Sequence, residues 1–142
     1  MRRLLVREFT VRVPRDAAWR HLAAVERWPS WARHIRSVTL EPAGALGPRS
    51  TGVIRLRNRV RSAFAMTAFD PPRRWTWVGK FLWLTVRYDH AFEEVGPGAT
   101  RLTWTVEARG LGVSTLGRLF ARIYGKNLDR AVPLLVAEME AP

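Results

Sequence analysis

The chain has 142 residues, of which 47% are hydrophobic; it carries a formal charge of +12 and contains no cysteine. That length fits one domain, residues 1–142, able to bury a real core, and the missing thiol excludes disulfides, thiolate metal sites and a cysteine nucleophile. The charge comes from 22 arginines and only two lysines, Lys80 and Lys126.

Such a charge attracts nucleic acid or an anionic membrane over long range. Its distribution argues for solvated faces instead: the tightest group, Arg55, Arg57, Arg59 and Arg61, has no aromatic among it, and no nucleic-acid motif accompanies it. No sequence-specific nucleic-acid partner is expected; a basic surface meeting an anionic assembly stays open as an alternative. The opening MRRLLVREFTVRV is basic, yet Arg7 and Glu8 interrupt its apolar run before it could form a signal core or a membrane span. A soluble, cytoplasmic protein, monomeric or weakly dimeric, is expected.

In chain order, Arg3 to Val13 alternates as a strand with Leu5, Phe9, Val11 and Val13 on one face, and Pro14 closes it. Asp16 is placed to cap a short helix whose seam is Ala17, Trp19, Leu22 and Ala23. Pro29 between Trp28 and Trp31 predicts a break, with a second short helix starting near Ser30. His34 to Glu41 reads as strand two, Pro42 to Thr51 as a loop, and Val53 to Arg57 as strand three with Arg55 and Arg57 outward. Ser62 to Phe69 and Arg74 to Lys80 follow as strands four and five, separated by Asp70-Pro71-Pro72. Leu84 to Val95 puts Leu84, Val86, Tyr88, His90 and Phe92 on one face; Thr100 to Ala108 returns with Leu102, Trp104 and Val106 inward. Finally, Ser114 to Glu140 carries Leu116, Leu119, Phe120, Ile123, Ala131, Leu135 and Met139 at helical spacing, with Ser114 or Thr115 as the expected cap and a kink expected at Pro133.

Several of these pieces carry a resemblance. Val13-Pro14 with Ala18-Trp19 and Leu22, Val25 to Trp31, Arg36-Ser37-Val38, Gly47 to Gly52, Phe69 to Trp75, His90-Ala91-Phe92 and Gly98 to Trp104 resemble, in that order, the polyketide cyclase/dehydrase-like families of the START-related superfamily. The resemblance covers nearly the whole chain. It implies an α+β helix-grip fold: a seven-stranded curved antiparallel sheet wrapped around the C-terminal helix, two short helices between strands 1 and 2, and a hydrophobic cavity between sheet and helix. Relatives of this architecture range from lipid carriers to cyclases, so the fold alone does not assign a reaction.

Within that frame the expected ligand is a small hydrophobic or aromatic molecule, such as a lipid, quinone or polyketide. Trp31 is expected at the rim; Ile54, Leu56, Met66, Trp77 and Trp104, with Trp75 or Trp83, on the sheet; and Phe120, Ile123, Tyr124 and Asn127 on the final helix. Leu119 is placed toward the same space. Tryptophans can equally be simple core, which is the better reading of Trp19 and Trp28. His90 with Tyr88 is the candidate acid–base pair of a cyclase or dehydratase, against the alternative of a structural histidine bonded to backbone. Asp89 and Glu107 have the wrong parity to join them and are expected to be exposed. His21, His34 and His90 stand on separate elements without nearby carboxylates, so neither a metal nor another cofactor is expected.

Overall fold

The computed structural model describes residues 1–142. Its strands are β1 (Arg2–Val11), β2 (Ile35–Glu41), β3 (Thr51–Leu56), β4 (Arg61–Asp70), β5 (Arg74–Phe81), β6 (Leu84–Gly96) and β7 (Ala99–Arg109). All pair antiparallel in one sheet of order β1-β7-β6-β5-β4-β3-β2. Strands β2 to β7 are successive neighbours, as local turns dictate; β1 pairs instead with β7, at the far end of the chain. The two sheet edges, β1 and β2, are therefore adjacent in sequence and are joined by helix α1 (Arg15–Ala23) and a 3-10 helix, Val25–Ser30.

Three helical pieces cover the inner face. Helix α2, Val113–Glu140, is about 42 Å long at ~1.5 Å per residue and lies over β1 and β7. Helix α1 rests on β6 and β7, and the 3-10 helix on β2. The inner face of β3 and β4 is left less covered, and Ile54, Leu56 and Met66 are only half-buried there. The core proper is one cluster running from Leu5 to Met139, with Trp75, Leu22, Leu84, Leu102 and Leu135 among its fully buried members.

Two inward residues need comment, Arg7 because it is charged and Phe69 because simple alternation hides it. Alternation after the bulge at Arg3/Leu5 puts Leu5, Arg7, Phe9 and Val11 on the inner side, with Arg7 opposite Trp104. A charge on that face needs a partner, and α2 supplies it: Arg7 Nε and Nη2 donate to the two carboxylate oxygens of Asp129 at 2.7 and 3.3 Å. Gly125 stands beside the Arg7 guanidinium and Gly117 against Leu4, where the helix lies close to β1. A second bulge, between Met66 and Ala68, keeps both Met66 and Phe69 on the inner side.

Several expectations are corrected. The break at Pro29 does not start a new helix; Pro29 sits inside the 3-10 helix, which ends at Ser30. Asp16 does not cap α1: Pro14 occupies that position, and Asp16 lies in the first turn, where its charge suits the helix dipole. Helix α2 begins at Val113 behind Gly112, whose φ of 77° is in the left-handed region; Thr115 bonds back to the Gly112 carbonyl and neither Ser114 nor Thr115 is the cap. Pro133 lies within α2, as read, and the helix runs without interruption from Val113 to Glu140. Trp83 does not line the interior but stands 61% exposed, its indole donating to the Leu111 carbonyl at 2.7 Å. No helix is long and apolar enough to cross a membrane.

Candidate ligand site

Alternation on β5, β6 and β7 places Trp75, Trp77, Tyr88, His90 and Trp104 side by side on the inner face, since Trp75 pairs with His90, Trp77 with Tyr88, and His90 with Trp104. Phe64 stacks on Trp77 with centroids 4.0 Å apart, and the His90 ring lies 4.7 Å from Trp75. Trp28 closes over Trp77 and His90 from the 3-10 helix, while Phe120 and Tyr124 of α2 face Tyr88. This aromatic cluster fills much of the space that the resemblance reserves for a cavity. Edge and offset contacts of this kind stabilise by roughly 0.5–1.5 kcal/mol per pair beyond burial.

The electrostatics of the cluster follow from its dryness. His90 is buried, and Nδ1 donates to the Trp75 carbonyl at 3.3 Å. Burial disfavours the imidazolium and brings the pKa down to about 3, the carbonyl bond opposing only weakly. Burial likewise pushes the phenols of Tyr88 and Tyr124 well above their ordinary value, with the neighbouring Tyr124 adding to the shift of Tyr88. All three groups are neutral at pH 7. Two buried indole N–H groups, on Trp75 and Trp104, have no acceptor, whereas that of Trp28 bonds the Leu22 carbonyl at 2.8 Å. Most buried donors are paired.

Open volume lies at the margin of the cluster. A depression of about 330 Å³ separates the Trp31–His34 segment from α2 and is lined by Trp31, Arg33, His34, Asn127, Arg130, Ala131 and Leu134. Trp31 is its link to the interior, with its ring 5.5 Å from Trp28 and 6.1 Å from Trp104. The segment is held by Arg57 of the chain just past β3, which donates Nε to the Arg33 carbonyl at 2.6 Å. Burial lowers the pKa of His34 from its ordinary value.

A larger depression, about 520 Å³, sits on the outer face of the sheet, among Thr67, Arg74, Thr76, Arg87, Asp89, Thr105 and Glu107. Its charges satisfy one another: Asp89 accepts from Thr76 and pairs with Arg74, and Arg87 pairs with Glu107. Asp89 and Glu107 do face away from His90, but they are half-buried in these pairs rather than freely exposed. With almost no apolar lining it does not suit a hydrophobic ligand.

The inner cluster thus unites Trp31, Trp77, Tyr88, His90, Trp104, Phe120 and Tyr124, and Asn127 joins the mouth. Ile123 and Leu119 stand apart. They are 53% and 50% exposed on the flank of α2 that turns away from the buried stripe. Sequence reasoning missed Arg33, His34, Arg130 and Leu134. Arg130 and Leu134 follow Asn127 at three and seven residues, the spacing of one helix face, and that was the available signal.

Sheet, helical strap and gripped C-terminal helix define the START-like, helix-grip fold. More specifically, the chain belongs to the family described as polyketide cyclase / dehydrase and lipid transport, whose model matches residues 3–139. Among solved structures it is similar to a hypothetical protein from Helicobacter pylori, 12% identical over 94% of this chain and 86% of that one, with a TM-score of 0.79. A Thermobifida fusca protein is 14% identical over 95% and 91%, at 0.77. A START superfamily protein from Mycobacterium smegmatis is 11% identical over 96% of this chain and 97% of that one, at 0.70. At these identities the likeness shows fold alone. A search of curated proteins returns no match.

Proposed function

We propose that this protein binds a small hydrophobic or aromatic molecule, lipid-like, quinone-like or polyketide-like, taken in at the mouth between Trp31 and α2 and held against the inner aromatic cluster. The observation that carries the reading is the depression of about 330 Å³ beside Trp31, whose ring leads from that opening to the buried aromatic cluster. The family description, which includes lipid transport, supports the same class of ligand.

Binding is favoured over acid–base catalysis because His90, with a pKa near 3, is too weak a base to take a proton at pH 7, and Tyr88 keeps its own. In this reading the two groups orient a ligand by neutral hydrogen bonds. The test is a thermal-shift and native mass-spectrometry screen of fatty acids, quinones and aromatic polyketides, repeated on Trp31→Ala. Ligands that raise Tm and quench tryptophan emission in the parent protein, with weaker binding in the variant, are expected. If no compound of the three classes shifts Tm or is retained, the reading is wrong.

A further inference from the structure

The mouth has a charge arrangement that hydrophobic binding alone does not explain. Two of its seven lining residues are arginines, Arg33 and Arg130, and none is a carboxylate. The acids that could neutralise them from α2 are committed elsewhere: Asp129 is clamped by Arg7 on β1, Glu138 accepts from His21 and Ser30, and Glu140 accepts from the Arg12 backbone N–H and pairs with its guanidinium. Neither Arg33 nor Arg130 takes part in any ion pair of the structure. Arg57, which pins the Arg33 backbone, adds a third positive charge next to the opening. Leu134, largely exposed, gives the apolar part of the lining beside these cations, with the buried Trp31 and Ala131 behind it.

We propose that the mouth selects amphiphiles with one anionic oxygen head, a carboxylate or a phosphate, which Arg33 and Arg130 grip while the apolar body lies on Trp31 and Leu134 and points toward the aromatic cluster. The inference deepens the ligand-binding reading and rests on it. Guanidinium groups match both heads because their planar fork donates two parallel N–H bonds to paired oxygens. The site stands at the edge of solvent, so the head stays partly hydrated and its contribution is a moderate one, about tenfold in affinity, equivalent to ~1.4 kcal/mol. Asn127 supplies a neutral polar contact beside the head.

The experiment titrates the protein with decanoate, decyl phosphate and 1-decanol, following tryptophan emission and heat, with acetate and inorganic phosphate as isolated heads. Decanoate or decyl phosphate is expected to bind about tenfold more tightly than decanol, and raising salt from 50 to 300 mM should narrow that ratio. In Arg33→Gln/Arg130→Gln, whose positions are exposed at the rim, the ratio is expected to fall to about twofold. Equal affinity for decanol and both anions in the parent protein overturns the proposal while leaving the hydrophobic site intact. Failure of all three to bind overturns the proposal, while the ligand-binding reading is decided separately by the quinone and polyketide arms of the thermal-shift screen. Inorganic phosphate binding as tightly as decyl phosphate overturns the amphiphile and leaves only an anion site.

Discussion

His90 offers the sharpest test of the interior. Its imidazole titrates near 6.5 in an unfolded chain and near 3 in the fold, because the stack of Trp75, Trp77 and Trp104 excludes the water that would solvate its charge. Between these values the unfolded chain binds a proton that the folded one refuses, so stability falls as pH falls. At pH 5, one and a half units below 6.5 and at about 1.4 kcal/mol per unit, the loss relative to pH 7 is about 2 kcal/mol. Urea unfolding at pH 7 and pH 5 measures it. His90→Gln keeps a donor for the Trp75 carbonyl but cannot titrate, so its loss over the same interval should be smaller by about 2 kcal/mol. A residual slope is expected from His34, whose burial acts in the same direction. Identical pH dependence in both proteins would refute the reasoning, as would imidazole resonances showing His90 charged at pH 5; the latter measurement decides the matter even if the variant folds poorly.

Other outcomes follow from packing. A methyl group at Gly52 would run into the Phe64 ring and the Thr39 carbonyl oxygen, so Gly52→Ala should destabilise by about 1–3 kcal/mol in urea unfolding. At Gly125 the added methyl meets Arg7 Nη2, so Gly125→Ala must displace the weaker Arg7–Asp129 bond; the gain in helix propensity of up to ~1 kcal/mol partly offsets this, and a net loss below about 1 kcal/mol is expected in urea unfolding. Asp129→Asn removes a largely solvent-accessible pair with Arg7 and should cost less than about 1 kcal/mol, a difference that shrinks in high salt. Leu82 is held at φ 53° while 64% exposed, so Leu82→Gly should raise stability by roughly 0.5 kcal/mol in the same assay.

The strands were legible because their signal is local. Alternation of Leu84, Val86, Tyr88, His90 and Phe92 survives intact as the buried face of β6, and the inward set of β7 likewise. What alternation could not supply was anything that depends on a distant partner. Arg7 reads as a break in the β1 pattern until Asp129, 122 residues later, turns it into an inward clamp. Ile123 fits the apolar spacing of α2 and yet stays outside, because the helix is drawn onto β1 and β7 and only part of its apolar arc is covered. The interior aromatics of the site could be read from parity alone. The mouth could not, since Arg33 and Arg130 meet only after the strap between the two sheet edges has brought its Trp31–His34 end beside α2.

The pairing of β1 with β7 also sets a timetable. While the chain is being made, Leu5, Phe9 and Val11 have no strand beside them until Ala99–Arg109 has emerged. Nearly a hundred residues separate Val11 from Arg109, which at the usual 5–20 residues per second is roughly five to twenty seconds of synthesis. During that interval β2 to β6 can form their hairpins, but the edge strand on which α2 rests must wait. Strand β1, made before the rest of the sheet, is thus among the last elements to be fixed, and the gripped helix can close only on a finished sheet.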